Sequence, residues 1–179
     1  MKATGIVRRI DDLGRVVIPK EIRRTMRIRE SDPLEIYTNN EGEVIFKKYS
    51  AISEIYENAA QVADIIAKLS GCPVVVFDRD HVVAVAGAQK KEYMERRVSV
   101  QMEDLMTNRK QFFAKTKDDV FNSIEGINKN SLAALPIISA GDIAGAVTFL
   151  ATEENQVTND LQMALITAAA QFLGKQIEG

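Results

Sequence analysis

The chain has 179 residues, of which 46% are hydrophobic and 27% are charged, and its formal net charge is -2. These values are typical of a water-soluble protein of one or two domains that can bury a core. No run approaches the roughly 18 uncharged apolar residues of a membrane helix, and no apolar stretch follows the N-terminal basic residue as in a signal peptide, so we expect a cytoplasmic protein.

The charge is unevenly distributed along the chain. Within the first 29 residues, nine basic side chains stand against three acidic ones, which is a net charge of +6, whereas residues 51–179 carry -5. The basic residues are Lys2, Arg8, Arg9, Arg15, Lys20, Arg23, Arg24, Arg27 and Arg29. A concentrated basic field beside an acidic remainder favours a nucleic-acid contact at one end, with a merely solvated charged surface as the alternative.

Two short strands are predicted at the start of the chain, over residues 4–10 (TGIVRRI) and 15–18 (RVVI). The turn DDLG lies between them, and Gly14 can adopt a positive φ there, so that the strands fold back as a hairpin. Pro19 ends the second strand and suits the first position of a short helix, PKEIRRTM. A second hairpin is predicted from LEIYT, the turn NNEG and EVIFKK.

The N-terminal unit is expected to need a partner. Four short strands and two turns of helix in about 50 residues bury too little surface to be stable alone. Arg8 shares one face of the first strand with Ile6 and Ile10, and Arg9 shares the other with Val7, so neither face is cleanly apolar. An intertwined dimer sheet would cover both sides.

The helix after Pro19 carries a basic stripe. Its members fall at positions i, i+3, i+4 and i+7 and are Lys20, Arg23, Arg24 and Arg27. Ile22 and Met26 point the opposite way, so one side of the helix packs and the other meets phosphate. A hairpin would bring Arg8 and Arg15 near this stripe.

The first 50 residues resemble the DNA-binding domain of AbrB-type transition-state regulators, because GIVRRID, LGRVVIP and KEIRR occur in that family's order and spacing. The resemblance implies a dimer of swapped hairpins. By position it also implies contacts with double-stranded DNA from Arg8, Arg15, Arg23 and Arg24. Lys2 and Arg9, from the same basic cluster, complete the predicted set. Related swapped-hairpin folds serve as antitoxins, so binding of a protein partner at this surface is the alternative.

The second part of the chain begins at a junction over residues 50–53 and continues into a long helix. Its apolar residues recur at spacings of 4, 3, 4 and 3, as in a coiled-coil seam: Ile55, Ala59, Val62, Ile66 and Leu69. Gly71 and Pro73 end this helix. Two apolar runs, PVVVF and HVVAVAG, then predict a hairpin around the turn DRD.

The remaining elements alternate between helix and hairpin. Helical pattern occurs in EYMERRVSVQMEDLM, within a polar stretch from Lys90 to about Asn130. A hairpin of SLAALPIIS and DIAGAVTFLA follows, joined at residues 140–141. A final helix over residues 155–177 has a wide apolar face that includes Leu161, Leu165, Ala168 and Phe172.

No residue of the chain is predicted to be catalytic. Cys72 and His81 are a lone cysteine and a lone histidine, which excludes an internal disulfide and a Cys/His zinc cluster. A Walker loop, a nucleophile elbow and a Cys–His pair are absent, and no spacing pairs two carboxylates in an apolar setting. We therefore expect no enzyme activity, no metal and no cofactor.

The order of elements after residue 50 resembles a GAF domain. The predicted fold class is α+β, with an AbrB-type dimerisation and DNA-binding domain over residues 1–50. A GAF-like domain follows over residues 51–179, with an antiparallel sheet flanked by helices. The combination resembles transcription regulators of sporulation genes in spore-forming bacteria, which implies a nucleoid-associated protein, activator or repressor, that reads sequence loosely.

The resemblance also bears on assembly and ligands. In GAF-like folds the first and last helices pack side by side. Their apolar faces therefore predict a homotetramer, in which contacts between GAF-like domains join two dimers that form through the DNA-binding domains. Packing of both faces on their own sheet is the alternative. We also expect a pocket between the sheet and residues 88–130, where an unidentified small molecule adjusts DNA binding. The competing hypothesis is that the GAF-like domain binds no ligand and only assembles the DNA-binding domains.

Overall fold

The computed structural model describes residues 4–179, so Lys2 of the predicted DNA-binding set lies outside the described residues. Two compact units make up the chain, the first ending at Tyr49 and the second beginning at Ser50. We call the first unit the head and the second the body. No helix of the described residues is long and apolar enough to cross a membrane.

The head combines one short helix with one hairpin. Its elements are α1 (Lys20–Thr25), β1 (Leu34–Thr38) and β2 (Val44–Lys48). The strands pair antiparallel, with Leu34 opposite Lys48. Asn39 shapes the turn, because its side-chain oxygen accepts the backbone N–H groups of Glu41 and Glu43 at 3.1 and 3.0 Å. The second predicted hairpin is therefore present.

The first predicted hairpin is not a strand pair in this chain. Residues 4–10 and 15–18 form no strand ladder. Two hydrogen bonds of 3.1 Å nevertheless close the turn between them: the N–H of Asp11 donates to Arg15 O, and the N–H of Gly14 donates to Asp11 O. Gly14 has the expected positive φ, +76°. No strand of the described head pairs with either segment.

The head leaves most of its apolar side chains on its surface. Among residues 4–49, Pro19 alone is buried. The exposed large apolar residues are Ile6, Val7, Ile10, Leu13, Val16, Val17, Met26, Ile36, Tyr37, Val44, Ile45 and Phe46. Apolar surface on this scale is unfavourable in water, because burial of such surface is the main term that stabilises a fold.

The body contains five helices and five strands. In chain order they are α2 (Ala51–Glu54), α3 (Tyr56–Ser70), β3 (Val74–Phe77), β4 (Val82–Ala86), α4 (Lys90–Tyr93), α5 (Val100–Thr107), β5 (Phe112–Phe113), β6 (Ser131–Ser139), β7 (Asp142–Leu150) and α6 (Asp160–Glu178). The strands form one antiparallel sheet in the order β4-β3-β7-β6-β5. Both hairpins predicted for this part of the chain are present.

The sheet carries an apolar core on each face. Val74 and Val76 belong to the cluster that α3 and α6 cover, whereas Val75 and Phe77 belong to the cluster that α5 covers. This split follows from the alternation of side chains along a strand. All four residues are fully buried, so β3 reads as a continuous apolar run.

Two predicted helices are interrupted. The helix after the junction breaks at Ile55, which separates α2 from α3. The helix predicted over residues 92–106 is replaced by α4 and α5, because the chain between them pairs with the edge of the sheet. There, Arg96 O accepts the N–H of Val82 at 2.8 Å, and the N–H of Val98 bonds to Asp80 O at 3.0 Å. Ser99 then caps α5.

The last helix lies directly on β6. It begins at Asp160, later than predicted, because Asn159 and Gln162 form a capping box there. Gly174 lets the helix approach the strand, since a Cβ atom at this position would clash with Ile138 O.

The α3 seam predicted for oligomerisation faces the body's own core. Ala59 and Ile66 are buried there, and Ile55 and Val62 pack against the same cluster, whereas Leu69 is 58% exposed. The structure contradicts the predicted role for Ile55, Ala59, Val62 and Ile66 and agrees with the alternative of packing on the body's own sheet, because a 4-3-4-3 spacing marks an apolar stripe without specifying what covers it. A role of Leu69 in oligomerisation stays a prediction.

The predicted face of α6, by contrast, points outward. Leu161 and Phe172 are 56% and 47% exposed, Ala168 is exposed and Leu165 is partly buried. The side-chain amide of Asn58 donates to that of Gln176 at 2.6 Å, which places the start of α3 beside the end of α6.

Candidate nucleic-acid interface

The turn before α1 presents Arg15. Its guanidinium Nε donates to Asp11 Oδ2 at 2.7 Å, and its backbone N–H donates to Asp11 Oδ1 at 2.8 Å. These hydrogen bonds hold the pKa of the Asp11 carboxyl below its ordinary value. The Arg15 side chain stays 70% exposed, so the turn orients the guanidinium while leaving it open to solvent.

Helix α1 presents Arg23 and Arg24. Both are exposed and lie in its last turn, where cationic side chains also interact favourably with the helix dipole. Pro19 precedes the helix as its N-cap. A planar guanidinium can bind phosphate through two parallel hydrogen bonds, which suits this pair to a nucleic-acid backbone.

The predicted basic stripe is shorter than expected. The helix ends at Thr25, and Arg27 lies beyond it in the left-handed region at a φ of +52°. Arg27 is also partly buried, and its carbonyl accepts the Lys48 ammonium at 2.9 Å. The stripe therefore consists of Lys20, Arg23 and Arg24, and Arg27 was assigned to it wrongly.

Asp32 is a structural residue of this region that the sequence did not single out. Its carboxylate accepts the backbone N–H of Arg29 at 2.8 Å and lies 3.9 Å from the Lys48 ammonium, and its side chain is only 3% exposed. The contact ties the segment after α1 to β2. An aspartate before a proline, as in SDP, is a common turn signal that could have indicated such a role.

Arg8 and Arg9 lie on the segment that leads into the turn, and both are exposed. Five of the six predicted contact residues are thus on the surface of the described head. They occupy three local structures: Arg8 and Arg9 the extended segment, Arg15 the turn, and Arg23 and Arg24 the helix. Such a distribution presents charge over a surface and differs from a single recognition helix that enters a groove.

The body offers two clefts but no metal cluster. Within residues 4–179, no group of three or more His, Cys, Asp or Glu side chains could hold a metal ion. A polar cleft of about 350 Å³ is lined by Lys117, Asp119, Asn130 and Glu153, among others. A second, of about 530 Å³, lies beside the β3–β4 turn.

Side chains fill the part of the predicted pocket region that lies between the sheet and α5. Met102, Leu105 and Met106 of α5 pack with Tyr93 and Val98 against the sheet, and all five are buried. An apolar layer therefore fills the gap between the sheet and α5. Both clefts include residues of the predicted stretch. Asp119 and Asn130 line the first beside Ser131 of β6, and Met94 and Glu95 line the second beside Val82 and Val83 of β4, so a bound small molecule stays a prediction.

Comparison with known proteins gives matches over both units. A family model described as stage V sporulation protein T C-terminal, transcription factor, matches residues 54–178. A model of antidote-toxin recognition MazE, bacterial antitoxin, matches residues 7–52. Stage V sporulation protein T of Bacillus subtilis (strain 168) is 46% identical over 99% of both chains. The transition state regulatory protein AbrB of the same organism is 49% identical over 42% of this chain and 77% of its own.

A solved structure supports the fold of the body. The GAF domain of an Acinetobacter phosphoenolpyruvate-protein phosphotransferase has a TM-score of 0.57 and 10% identity, and the match covers 73% of this chain and 84% of that one. The two resemblances inferred from the sequence, AbrB-type and GAF-like, are confirmed.

Head and body together define an α+β regulator with an AbrB-like unit followed by a GAF-fold unit. The match to the C-terminal family model and the near-complete alignment make the assignment specific. The chain belongs to the family of stage V sporulation protein T transcription factors.

Proposed function

We propose that the chain is a DNA-binding transcription regulator of sporulation genes that reads sequence loosely. The observation that carries this proposal is the exposure of five arginines on three local structures of the head: Arg8, Arg9, Arg15, Arg23 and Arg24. Contacts of this kind go mainly to phosphate and fix position, whereas base edges carry specificity. The regulator acts at the nucleoid and without catalysis.

The heads act as a dimer. The exposed apolar residues of the head, from Ile6 to Phe46, supply the surface that a second copy would cover. Pairing with that copy would also give residues 4–10 and 15–18 the neighbouring strands that the single chain lacks, which is the exchange expected of swapped hairpins. Dimerisation doubles the number of arginines that face DNA.

The bodies join two such dimers into a tetramer. Helices α3 and α6 lie side by side, and Ile65 and Leu69 on α3 are exposed together with Leu161 and Phe172 on α6. Two bodies that cover these side chains would form a four-helix contact. The tetramer raises avidity, because two pairs of heads can bind one DNA molecule.

The experiment is a fluorescence-anisotropy titration of a labelled duplex with the full chain. We expect Arg24→Ala to weaken binding while the far-UV circular dichroism stays unchanged. Lys91→Ala is the matched control, because Lys91 is an exposed basic residue of the body, and it should leave the affinity unchanged. Equal affinities of wild type and Arg24→Ala would refute the assigned interface.

The match of residues 7–52 to an antitoxin family supports a second candidate, in which the head binds a protein partner. The same titration separates the two candidates. A head that serves only as an antitoxin-like module would bind duplex DNA weakly and without dependence on Arg24.

We propose that the body senses a small molecule and is not only a scaffold that assembles the heads, because its clefts leave room for a ligand. A thermal-shift screen of the full chain against cell metabolites tests this choice, since a true ligand raises the melting temperature with concentration.

A further inference from the structure

A cleft of about 530 Å³ lies on the body where the start of α3 meets the β3–β4 turn. Its lining combines the apolar residues Val83 and Met94 with Tyr56 and with two acidic residues, Asp78 and Glu95. We propose that this cleft binds a small amphipathic cation, that is, an amine with an apolar or aromatic body. Its volume falls in the range of small-molecule sites.

The apolar part of the cleft would hold the body of the ligand. Val82 is buried beneath it, Val83 and Met94 are partly buried, and Tyr56 is 41% exposed. A tyrosine ring next to an ammonium group attracts it through the negative face of the ring. The flexible thioether of Met94 can adapt to ligands of different outline.

The polar part selects the sign of the charge. The lining includes two carboxylates and neither a lysine nor an arginine. The backbone N–H groups of Asp80 and His81 donate to Asp78 Oδ1 at 2.7 and 2.6 Å, which fixes this carboxylate in the turn. A carboxylate offers about four lone-pair positions over two oxygens, so further acceptor capacity remains for an ammonium group.

Glu95 has an unusual backbone. Its φ is +62°, in the left-handed region that residues with a side chain rarely adopt. The conformation is fixed by the hydrogen bond of its N–H to Val82 O at 3.2 Å. Backbone outliers of this kind persist only where their surroundings hold them, and they cluster at ligand-binding sites. Glu95 belongs to the lining of the cleft.

The cleft spans the break in the first helix of the body. Ser53 belongs to α2 and Tyr56 to α3, and both line it, on either side of the break at Ile55. A cation that contacts both helices would favour one arrangement of the break. The effect of the cation on DNA binding rests on the proposed function, whereas its binding to the cleft does not. The size of that effect cannot exceed the difference between the affinities of the cation for the two arrangements.

His81 provides the readout, because it lines the cleft and is the single histidine of the chain. We would titrate the full chain with phenethylammonium at constant pH and follow the His81 imidazole C–H resonance by NMR. 2-Phenylethanol and 3-phenylpropionate are the neutral and anionic controls. We expect a saturable shift with phenethylammonium and about fivefold tighter binding than of the alcohol.

Variants assign the binding to the cleft. Glu95→Gln should weaken phenethylammonium binding by about twofold to fivefold and leave that of 2-phenylethanol unchanged. Glu125→Gln, an exposed glutamate outside the lining, should change neither. Tyr56→Leu should weaken the binding, and Tyr56→Phe should retain it because the ring is kept.

Two results would overturn the inference: no saturable shift, or equal binding of the three probes. DNA affinity of the same samples is measured separately. A chain that binds DNA but not phenethylammonium would refute this inference and leave the proposed DNA-binding function intact. A chain that binds phenethylammonium but not DNA would refute only the proposed DNA-binding function.

Discussion

Truncation of Leu161 should weaken the association of bodies without unfolding them. Leu161 lies on the outward face of α6 and is 56% exposed in the single chain. Full burial of a leucine side chain contributes about 1.5–3 kcal/mol, so covering the exposed half contributes roughly 1 kcal/mol per copy. A two-fold interface contains two copies of the residue. Leu161→Ala should therefore weaken each contact between two bodies by roughly 2 kcal/mol, a change of about 30-fold in the dissociation constant of one contact. The tetramer has two such contacts, so its dissociation into dimers should change by more than this.

The assay is sedimentation velocity of the full chain over a concentration series. We expect the variant to dissociate from tetramer to dimer at concentrations where the wild type stays tetrameric. Val100→Ala is the matched control, because Val100 is 82% exposed but lies on α5, and its dissociation constant should be unchanged. An unchanged constant for Leu161→Ala, or an equal effect of both substitutions, would refute the assignment of the interface to α3 and α6.

Three further predictions concern the head and the stability of the body. Gly174→Ala should lower the free energy of unfolding, measured in urea, by about 1–2 kcal/mol, because the clash of the new Cβ atom with Ile138 O outweighs the gain in helix propensity. An increase in the free energy of unfolding would contradict the close contact between α6 and β6. Hydrogen bonds lower the pKa values of three carboxyl groups: Asp11 bonds mainly with Arg15, Asp119 with Lys115 and Glu178 with Lys175. These carboxylates therefore stabilise the fold above about pH 4, and this stabilisation is lost as the pH falls through the lowered pKa values. Urea unfolding at a series of pH values should show this loss, with a shallower decline for Asp119→Asn. Asp11→Asn keeps an acceptor for the turn but removes the negative charge beside Arg15, so it should tighten DNA binding at low salt by about twofold to fivefold, more than Asp12→Asn does.

The sequence allowed prediction of the elements whose signals are local. The body hairpins follow from apolar runs between turn residues, and the end of α3 follows from Gly71, which has a φ of +69° at the helix C-cap. The exposure of Arg23 and Arg24 likewise follows from their helical spacing, because the opposite side of α1 carries Ile22.

The errors arise where distant parts of the chain decide the local structure. The break between α4 and α5 depends on two backbone hydrogen bonds, in which Arg96 O accepts the N–H of Val82 and the N–H of Val98 donates to Asp80 O. No helical periodicity reveals these bonds. Arg27 lies outside the helical stripe because the helix ends before it: Arg27 has a φ of +52°, and the N–H of Ile28 donates to Arg23 O at 2.7 Å. Its carbonyl also accepts the ammonium of Lys48, 21 residues away. The strands predicted over residues 4–10 and 15–18 would need neighbours that the single chain does not supply.

The salt dependence of DNA affinity tests the central claim most directly. Two copies of Arg8, Arg15, Arg23 and Arg24 allow eight phosphate contacts in a dimer of heads, so log K against log salt should fall with a slope of about -7. Arg23→Ala removes two of these contacts, and its slope should be shallower by about 2, whereas Lys91→Ala should match the wild type. A slope near zero, or a slope that Arg23→Ala leaves unchanged, would contradict a head that binds DNA through these arginines.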